Sequence, residues 1–206
     1  IHLIDFDDRM NNDWAVTNQL RVQGTQVRKP DLVIYLNGIP VVTIELNSPL
    51  NPSQDTFAAI SQIEEQERDI PRLFFSNVFN VASNDQFSRY TATGARREFW
   101  LDWRDPWPKQ DTDFSTEIEK MAFCLLQPTR IVDFIAHFVV FEKDPETTKT
   151  IKKMCRHQQY RAVNKMIERV YGETDPKKRR GLVWHTQGSG KSLTMVFLTI
   201  KMRRDP

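Results

Sequence analysis

Asp31-Leu-Val-Ile-Tyr-Leu-Asn-Gly-Ile-Pro-Val-Val-Thr-Ile-Glu45 sets two runs of apolar and β-branched residues on either side of Asn37-Gly38. Asn-Gly between two such runs is the strongest short signal for a β-hairpin. Pro40, with no N–H to give to a ladder, fits the edge of the turn. Both runs are almost continuously apolar, which predicts strands buried on both faces. With a turn of three or four residues, Asp31 falls opposite Glu45 or its neighbour, so the two carboxylates share one edge of the sheet. Directly opposed strand residues have Cβ atoms about 4.5–5.5 Å apart. Like charges at that range repel unless a cation lies between them, and an all-oxygen pair suits Mg2+. The alternative is two solvated strand ends. Asn47, two residues beyond Glu45, shares its face; an amide there can hydrogen-bond but brings neither charge nor base.

Outward from the hairpin, Ser53 reads as a helix N-cap, followed by a helical stripe of Phe57, Ala59, Ile60 and Ile63 that ends before Pro71. Leu73 to Val81 reads as a buried strand and Arg89 to Thr93 as a weaker one. Residues 99–108 form an aromatic loop in which Trp100, Trp103 and Trp107 either stack on nucleic-acid bases or pack into the core. Helices are predicted over 116–126 and 129–141. The polar stretch 143–150 reads as a linker, and a long amphipathic helix follows to about Tyr171.

The second decisive stretch is His185-Thr-Gln-Gly-Ser-Gly-Lys-Ser192, set between an apolar run expected as a strand (Gly181 to His185) and an apolar helix (Leu193 to Ile200). Strand, glycine-containing loop and helix are the context a phosphate-binding P-loop requires. In such a loop Thr186, Gln187, Gly188, Ser189 and Gly190 turn backbone N–H groups toward phosphate oxygens. Lys191 brings a charge to the terminal phosphates of ATP, and Ser192 can coordinate Mg2+. The usual first glycine of the pattern is His185 here. About 30 residues upstream, Gln159 with Ala162 resembles the Q-motif of superfamily-two helicases, which implies contact with the adenine edge. The acid and arginine finger that an ATPase also needs have no counterpart after the loop, so hydrolysis by this chain alone is not expected.

Composition bounds the rest. The chain has 206 residues, 39% hydrophobic and 27% charged, which is ordinary globular usage. No apolar run approaches the ~20 residues of a membrane span, and no secretory leader is legible, as the chain opens on Ile1 like an excised piece. Cys124 and Cys155 have no metal-binding or redox spacing, which fits a reducing cytoplasm. The net charge of +2 conceals a division: residues 1–150 carry 15 Lys and Arg against 23 Asp and Glu, a net −8, whereas residues 151–206 carry 14 against 4, a net +10. The basic part is the better candidate for meeting a polyanion.

Lys29-Pro-Asp31 with the hairpin through Glu45-Leu46 resembles the N-terminal nuclease of the restriction subunit of type I restriction-modification enzymes. So do Ile4-Asp-Phe6, Ile70-Pro-Arg-Leu-Phe74, Asn77, Val81-Ala-Ser83 and Gly181 to Ser192. The resemblance implies an α/β fold with a restriction-endonuclease-like (PD-(D/E)xK) core over residues 1–142, a linker at 143–150, and the start of a RecA-like P-loop helicase domain over 151–206. It implies Mg2+-dependent cleavage of double-stranded DNA and ATP-driven translocation, in a prokaryotic cytoplasmic complex with methyltransferase and specificity subunits and no membrane. Asp31 and Glu45 match the metal-binding carboxylates, Asn47 stands at the lysine position, and Gln62 matches the glutamine of a Gln-x-x-x-Tyr motif whose tyrosine is replaced by Gln66. Asn47 and Gln66 leave two functional expectations open: a nuclease with a variant site, or a nuclease fold kept as a non-catalytic binding module. A helicase with an unrelated N-terminal extension would leave the hairpin unexplained.

Overall fold

A two-residue turn closes the hairpin. In the computed structural model, which describes residues 3–48, 56–84, 86–144 and 148–204, Asn37 and Gly38 both have positive φ, 51° and 77°. Such a turn matches the right-handed twist of its strands. It joins β4 (Leu32–Leu36) to β5 (Ile39–Leu46), behind β1 (Trp14–Asn18), β2 (Val22–Gln23) and β3 (Val27–Arg28). The turn is shorter than expected, and a bulge restores the register. Leu36 pairs with Ile39 and Tyr35 with Pro40, but Ile34 pairs with Val42, leaving Val41 over. The Val41 carbonyl accepts instead from Val78 N–H at 2.7 Å. From Ile34 on, every pair is displaced by one residue, so Leu32 meets Ile44 and Asp31 is carried toward Glu45.

The chain then crosses over through α1 (Thr56–Asp69) and α2 (Pro71–Phe74) into β6 (Phe79–Ser83), which lies parallel to β5. β7 (Ser88–Ala92) and β8 (Leu101–Asp102) complete a mixed six-stranded sheet of order β1-β4-β5-β6-β7-β8. All five residues of β6 are buried. Leu73 and Phe74 belong to α2 rather than to this strand, because Pro71 opens a helical turn that its fixed φ favours. Ala59, Ile60 and Ile63 form the buried stripe of α1 against Ala82 and Trp100. Phe57 is not part of that stripe; it is exposed, with the Arg89 guanidinium 5.1 Å from its ring centroid. The expected cap at Ser53 lies outside the described residues.

Beyond the sheet come α3 (Glu117–Met121), running into a π-helical turn at Ala122–Leu126, and α4 (Pro128–His137). The chain leaves helix at Phe138, earlier than expected, and enters β9 (Val139–Lys143). This strand pairs antiparallel with β10 (Thr150–Met154). Within the polar stretch 143–150, Lys143 pairs with Thr150 and Asp144 N–H donates to Lys149 O at 2.8 Å, while residues 145–147 lie outside the described residues. α5 (His157–Gly172) and α6 (Lys191–Arg204) close the chain. Residues 181–186 form no strand: no described strand pairs with them, and Leu182 and Trp184 are exposed.

One core joins what the sequence divides. Phe79 of β6, Trp103, Phe134 of α4, Phe138, Tyr160 of α5 and Phe197 of α6 belong to a single cluster. Its rings are in contact, Phe134 with Tyr160 at 5.3 Å and Phe138 with Phe197 at 5.6 Å between centroids. Trp100 and Trp103 are buried, so packing accounts for both. Cys124 and Cys155 are buried free thiols. Lys201 of α6 reaches back to Asp133 of α4 through this core. Among the described residues no helix is long and apolar enough to cross a membrane.

Candidate functional site

Asp31 and Glu45 are tied across the ends of β4 and β5. Asp31 N–H donates to Glu45 Oε1 at 3.1 Å, and Leu46 N–H donates to Asp31 Oδ2 at 2.9 Å. The Gln19 side-chain amide bonds Asp31 Oδ1, and Gln19 N–H donates to the Asp31 carbonyl at 2.9 Å. Asp31 is half-buried and Glu45 is 3% exposed. Burial, with the Asp31 charge adding to it, pushes the Glu45 carboxyl up to about 7, against the pull of its hydrogen bond from Gln66. Two carboxylates held side by side in this way form an all-oxygen donor set, which fits a hard divalent cation such as Mg2+.

Asn47 follows the end of β5, its N–H donating to Ser83 O at 2.8 Å and extending the parallel ladder between β5 and β6. The two α1 glutamines do not behave as the motif suggests. Gln62 is exposed and is not among the partners of Glu45. Gln66, four residues on, is buried and donates through Nε2 to Glu45 Oε1 at 2.7 Å, while its buried Oε1 has no hydrogen-bond partner among the described residues. Ala59, Ile63 and Gln66 are spaced i, i+4, i+7 on one helix face; Gln62, at i+3, stands at the edge of that face by spacing, and the structure leaves it exposed. Among the described residues, no group of three or more His, Cys, Asp or Glu is arranged to hold a metal.

The phosphate loop is formed ahead of α6. Gly188 and Gly190 have φ of 78° and 81°, a left-handed backbone that side chains rarely adopt. Ser189 N–H closes a turn on Thr186 O at 3.3 Å, and Thr194 N–H on Gly190 O at 3.0 Å begins the helix. Lys191 Nζ bends back over the loop to donate to His185 O at 3.2 Å and Thr186 O at 2.9 Å. Thr186, Gln187 and Ser192 are exposed, and Ser189 is buried. A loop with an inward-bent lysine, two left-handed glycines and a helix N-terminus behind it fits a polyphosphate.

Gln159 packs behind the phosphate loop. It is 1% exposed; Oε1 accepts from Arg156 N–H at 2.8 Å and Nε2 donates to Gly190 O at 3.0 Å. Both ends of its amide are therefore engaged with backbone. The φ of Gly190 is one that side chains rarely adopt, and a Cβ built there would stand 2.5 Å from Gln159 Nε2 and push that amide aside.

Residues 1–99 match the family described as type I restriction enzyme R protein N terminus, and residues 158–206 match the SWI2/SNF2 ATPase family. The Type I restriction enzyme HindI endonuclease subunit of Haemophilus influenzae is 33% identical over 213 residues, covering 100% of this chain and 20% of that protein. The putative type I restriction enzyme MjaVIIIP endonuclease subunit of Methanocaldococcus jannaschii is 32% identical over 200 residues, covering 96% of the chain and 19% of that protein. A Staphylococcus aureus subunit, SauCOLORF180P, is 27% identical over 197 residues, covering 94% and 20%. The chain thus spans about a fifth of the length of these relatives.

Proposed function

Because the chain belongs to the N-terminal region of the type I restriction enzyme R protein family, we propose that it carries the DNA-cleaving site of such a subunit and the entry to its ATP-driven motor. The observation that carries this reading is the register of β4 on β5, which sets the Asp31 and Glu45 carboxylates together at one sheet edge. In this reading residues 1–142 are a restriction-endonuclease-like core and 151–206 begin a RecA-like domain. DNA translocation belongs to the complete complex with methyltransferase and specificity subunits.

Asp31 and Glu45 would hold Mg2+. When bound, the cation activates water and stabilises the charge that builds on the phosphate being cleaved. Gln19 and Leu46 N–H orient Asp31, and Gln66 with Asp31 N–H orients Glu45. Asn47 offers an amide where the family pattern has a lysine, so one positive charge near the phosphate is lacking. Removing a single electrostatic donor of this kind slows a reaction about 10²–10³-fold. On the motor side, Lys191 and the backbone of Thr186 to Ser192 would bind the ATP phosphates.

Asn47 also favours a second reading, a nuclease fold that binds Mg2+ and DNA without cutting. Plasmid nicking in Mg2+ by the chain, by Asn47→Lys and by Asp31→Ala separates the two. A variant site cuts slowly, gains in Asn47→Lys and falls silent in Asp31→Ala. Silence from all three, with Mg2+ still bound, supports the binding module.

A further inference from the structure

Gln66 lies on α1 where the helix packs over β5, and only 4% of it is exposed. Its Nε2 and the Asp31 N–H both donate to the same oxygen, Glu45 Oε1, at 2.7 and 3.1 Å. Two donors on Oε1 fix the carboxylate plane and leave Oε2 as the oxygen without an N–H partner from either. The other end of the amide is the unusual one. Gln66 Oε1 is buried beside the Glu45 carboxyl and, among the described residues, accepts from no group. Buried amide oxygens are almost always hydrogen-bonded. With a cation bound both carboxylates are ionised and neither can donate to this oxygen, so its donor then comes from outside the described residues. Mg2+ dehydrates reluctantly and keeps several of its waters, and each such water is a strong hydrogen donor.

We propose that Gln66 belongs to the cation site through both ends of its amide, Nε2 holding Glu45 in place and Oε1 accepting a hydrogen from a water of the cation's shell. This rests on the reading of Asp31 and Glu45 as cation ligands. Gln66 is then a positioning residue for the cation, in the place where the family motif has tyrosine. Partners of this kind orient ligands and shell waters, and their loss typically weakens metal binding 10–100-fold.

The experiment is Mn2+ binding to the chain, followed by electron paramagnetic resonance, beside circular dichroism and thermal melting. Gln66→Met keeps the length and removes both donor and acceptor; it should bind Mn2+ at least tenfold more weakly with its fold intact. Gln66→Glu returns an acceptor oxygen and should recover affinity at least to that of the unaltered chain. Unchanged affinity in Gln66→Met overturns the proposal, and so does equal loss in Gln66→Met and Gln66→Glu, since the oxygen would then be irrelevant. Should Gln66→Met fail to fold, Gln66→Asn, which withdraws the amide by one methylene, carries the same tenfold expectation. Glu45→Ala distinguishes the two levels. If it leaves Mn2+ binding untouched, the cation reading itself fails and Gln66 with it. If it abolishes binding while Gln66→Met does not, only the role of Gln66 fails.

Discussion

Lys201, near the end of the helix that follows the phosphate loop, donates through Nζ to Asp133 Oδ1 of α4 at 2.7 Å, and both side chains are more than nine-tenths buried. The same ammonium donates to Asn164 Oδ1 of α5 at 2.8 Å, and His137 Nδ1 lies 2.8 Å from Asp133 Oδ1. Although burial alone would push the Asp133 carboxyl up, the His137 hydrogen bond and the Lys201 charge hold it below the usual carboxylate range. Removing one partner of such a pair strands a buried charge at a cost of about 3–5 kcal/mol. Asp133→Ala should lower unfolding stability by that amount in a urea titration at neutral pH. The double variant Asp133→Leu with Lys201→Met should recover most of it, and a double variant as unstable as Asp133→Ala would refute the pairing.

Glu45 gives the site a definite pH dependence. Its folded carboxyl stands at about 7, above the ordinary 4.5, so the folded chain holds a proton that the unfolded chain releases. Below the ordinary value both states are protonated and Glu45 costs nothing. From there to about 7 a penalty grows, and above 7 it is complete, on the order of 3 kcal/mol. Glu45→Gln should therefore gain stability relative to the unaltered chain at pH 8 and lose that advantage at pH 4. Mg2+ favours the ionised form, so it should raise the melting temperature more at pH 8 than at pH 5.5, with proton release on binding in between. A Mg2+ effect that is the same at both values would argue against Glu45 as a ligand.

The engagement of Gln159 by Gly190 predicts how nucleotide binding responds to change at either residue. With its amide bonded to Arg156 N–H and Gly190 O, Gln159 props the loop from behind. Gln159→Leu should weaken ADP and GDP by similar factors, as judged by competition against a fluorescent nucleotide. A selective loss for ADP would instead place the amide on adenine. Gly190→Ala, strained by its φ and displacing the Gln159 amide from the new Cβ, should weaken both nucleotides further.

The hairpin itself can be tested without touching the site. Gly38 has φ +77° and open space around the position of a Cβ, so Gly38→Ala meets only backbone strain, about 1 kcal/mol. Its effect on the melting temperature should be small and independent of Mg2+.

What was legible in the sequence had local steric causes. Asn37-Gly38, the β-branched runs, the buried strand at Phe79 and the left-handed glycines of the phosphate loop all follow from backbone preferences acting within a few residues. The opposition of Asp31 and Glu45 was foreseen for a different reason from the one realised. A three-residue turn and a two-residue turn with a bulge at Val41 give the same pairing, and side-chain pattern cannot separate them. Leu73 and Phe74 were misplaced because a short apolar run has no period to tell helix from strand. The pairing of β9 with β10 on either side of the polar stretch 143–150 is not written in its composition, since polar residues suit a linker and a strand connection alike. Motif position places Gln62 and Gln159 in the sequence but not on a helix side: Gln62 is exposed and Gln159 is buried, a tertiary outcome.

The shared core also bears on how such subunits can be recombined. A seam cut at residue 143 or 150 would divide β9 from β10 and uncover Phe138, Tyr160 and Phe197, whose rings cover one another. Chimeras between relatives that exchange only the first 142 residues inherit one half of an interlocked packing and must match the other half by chance. A graft that travels whole, from the first strand through the helix behind the phosphate loop, carries its own complement with it.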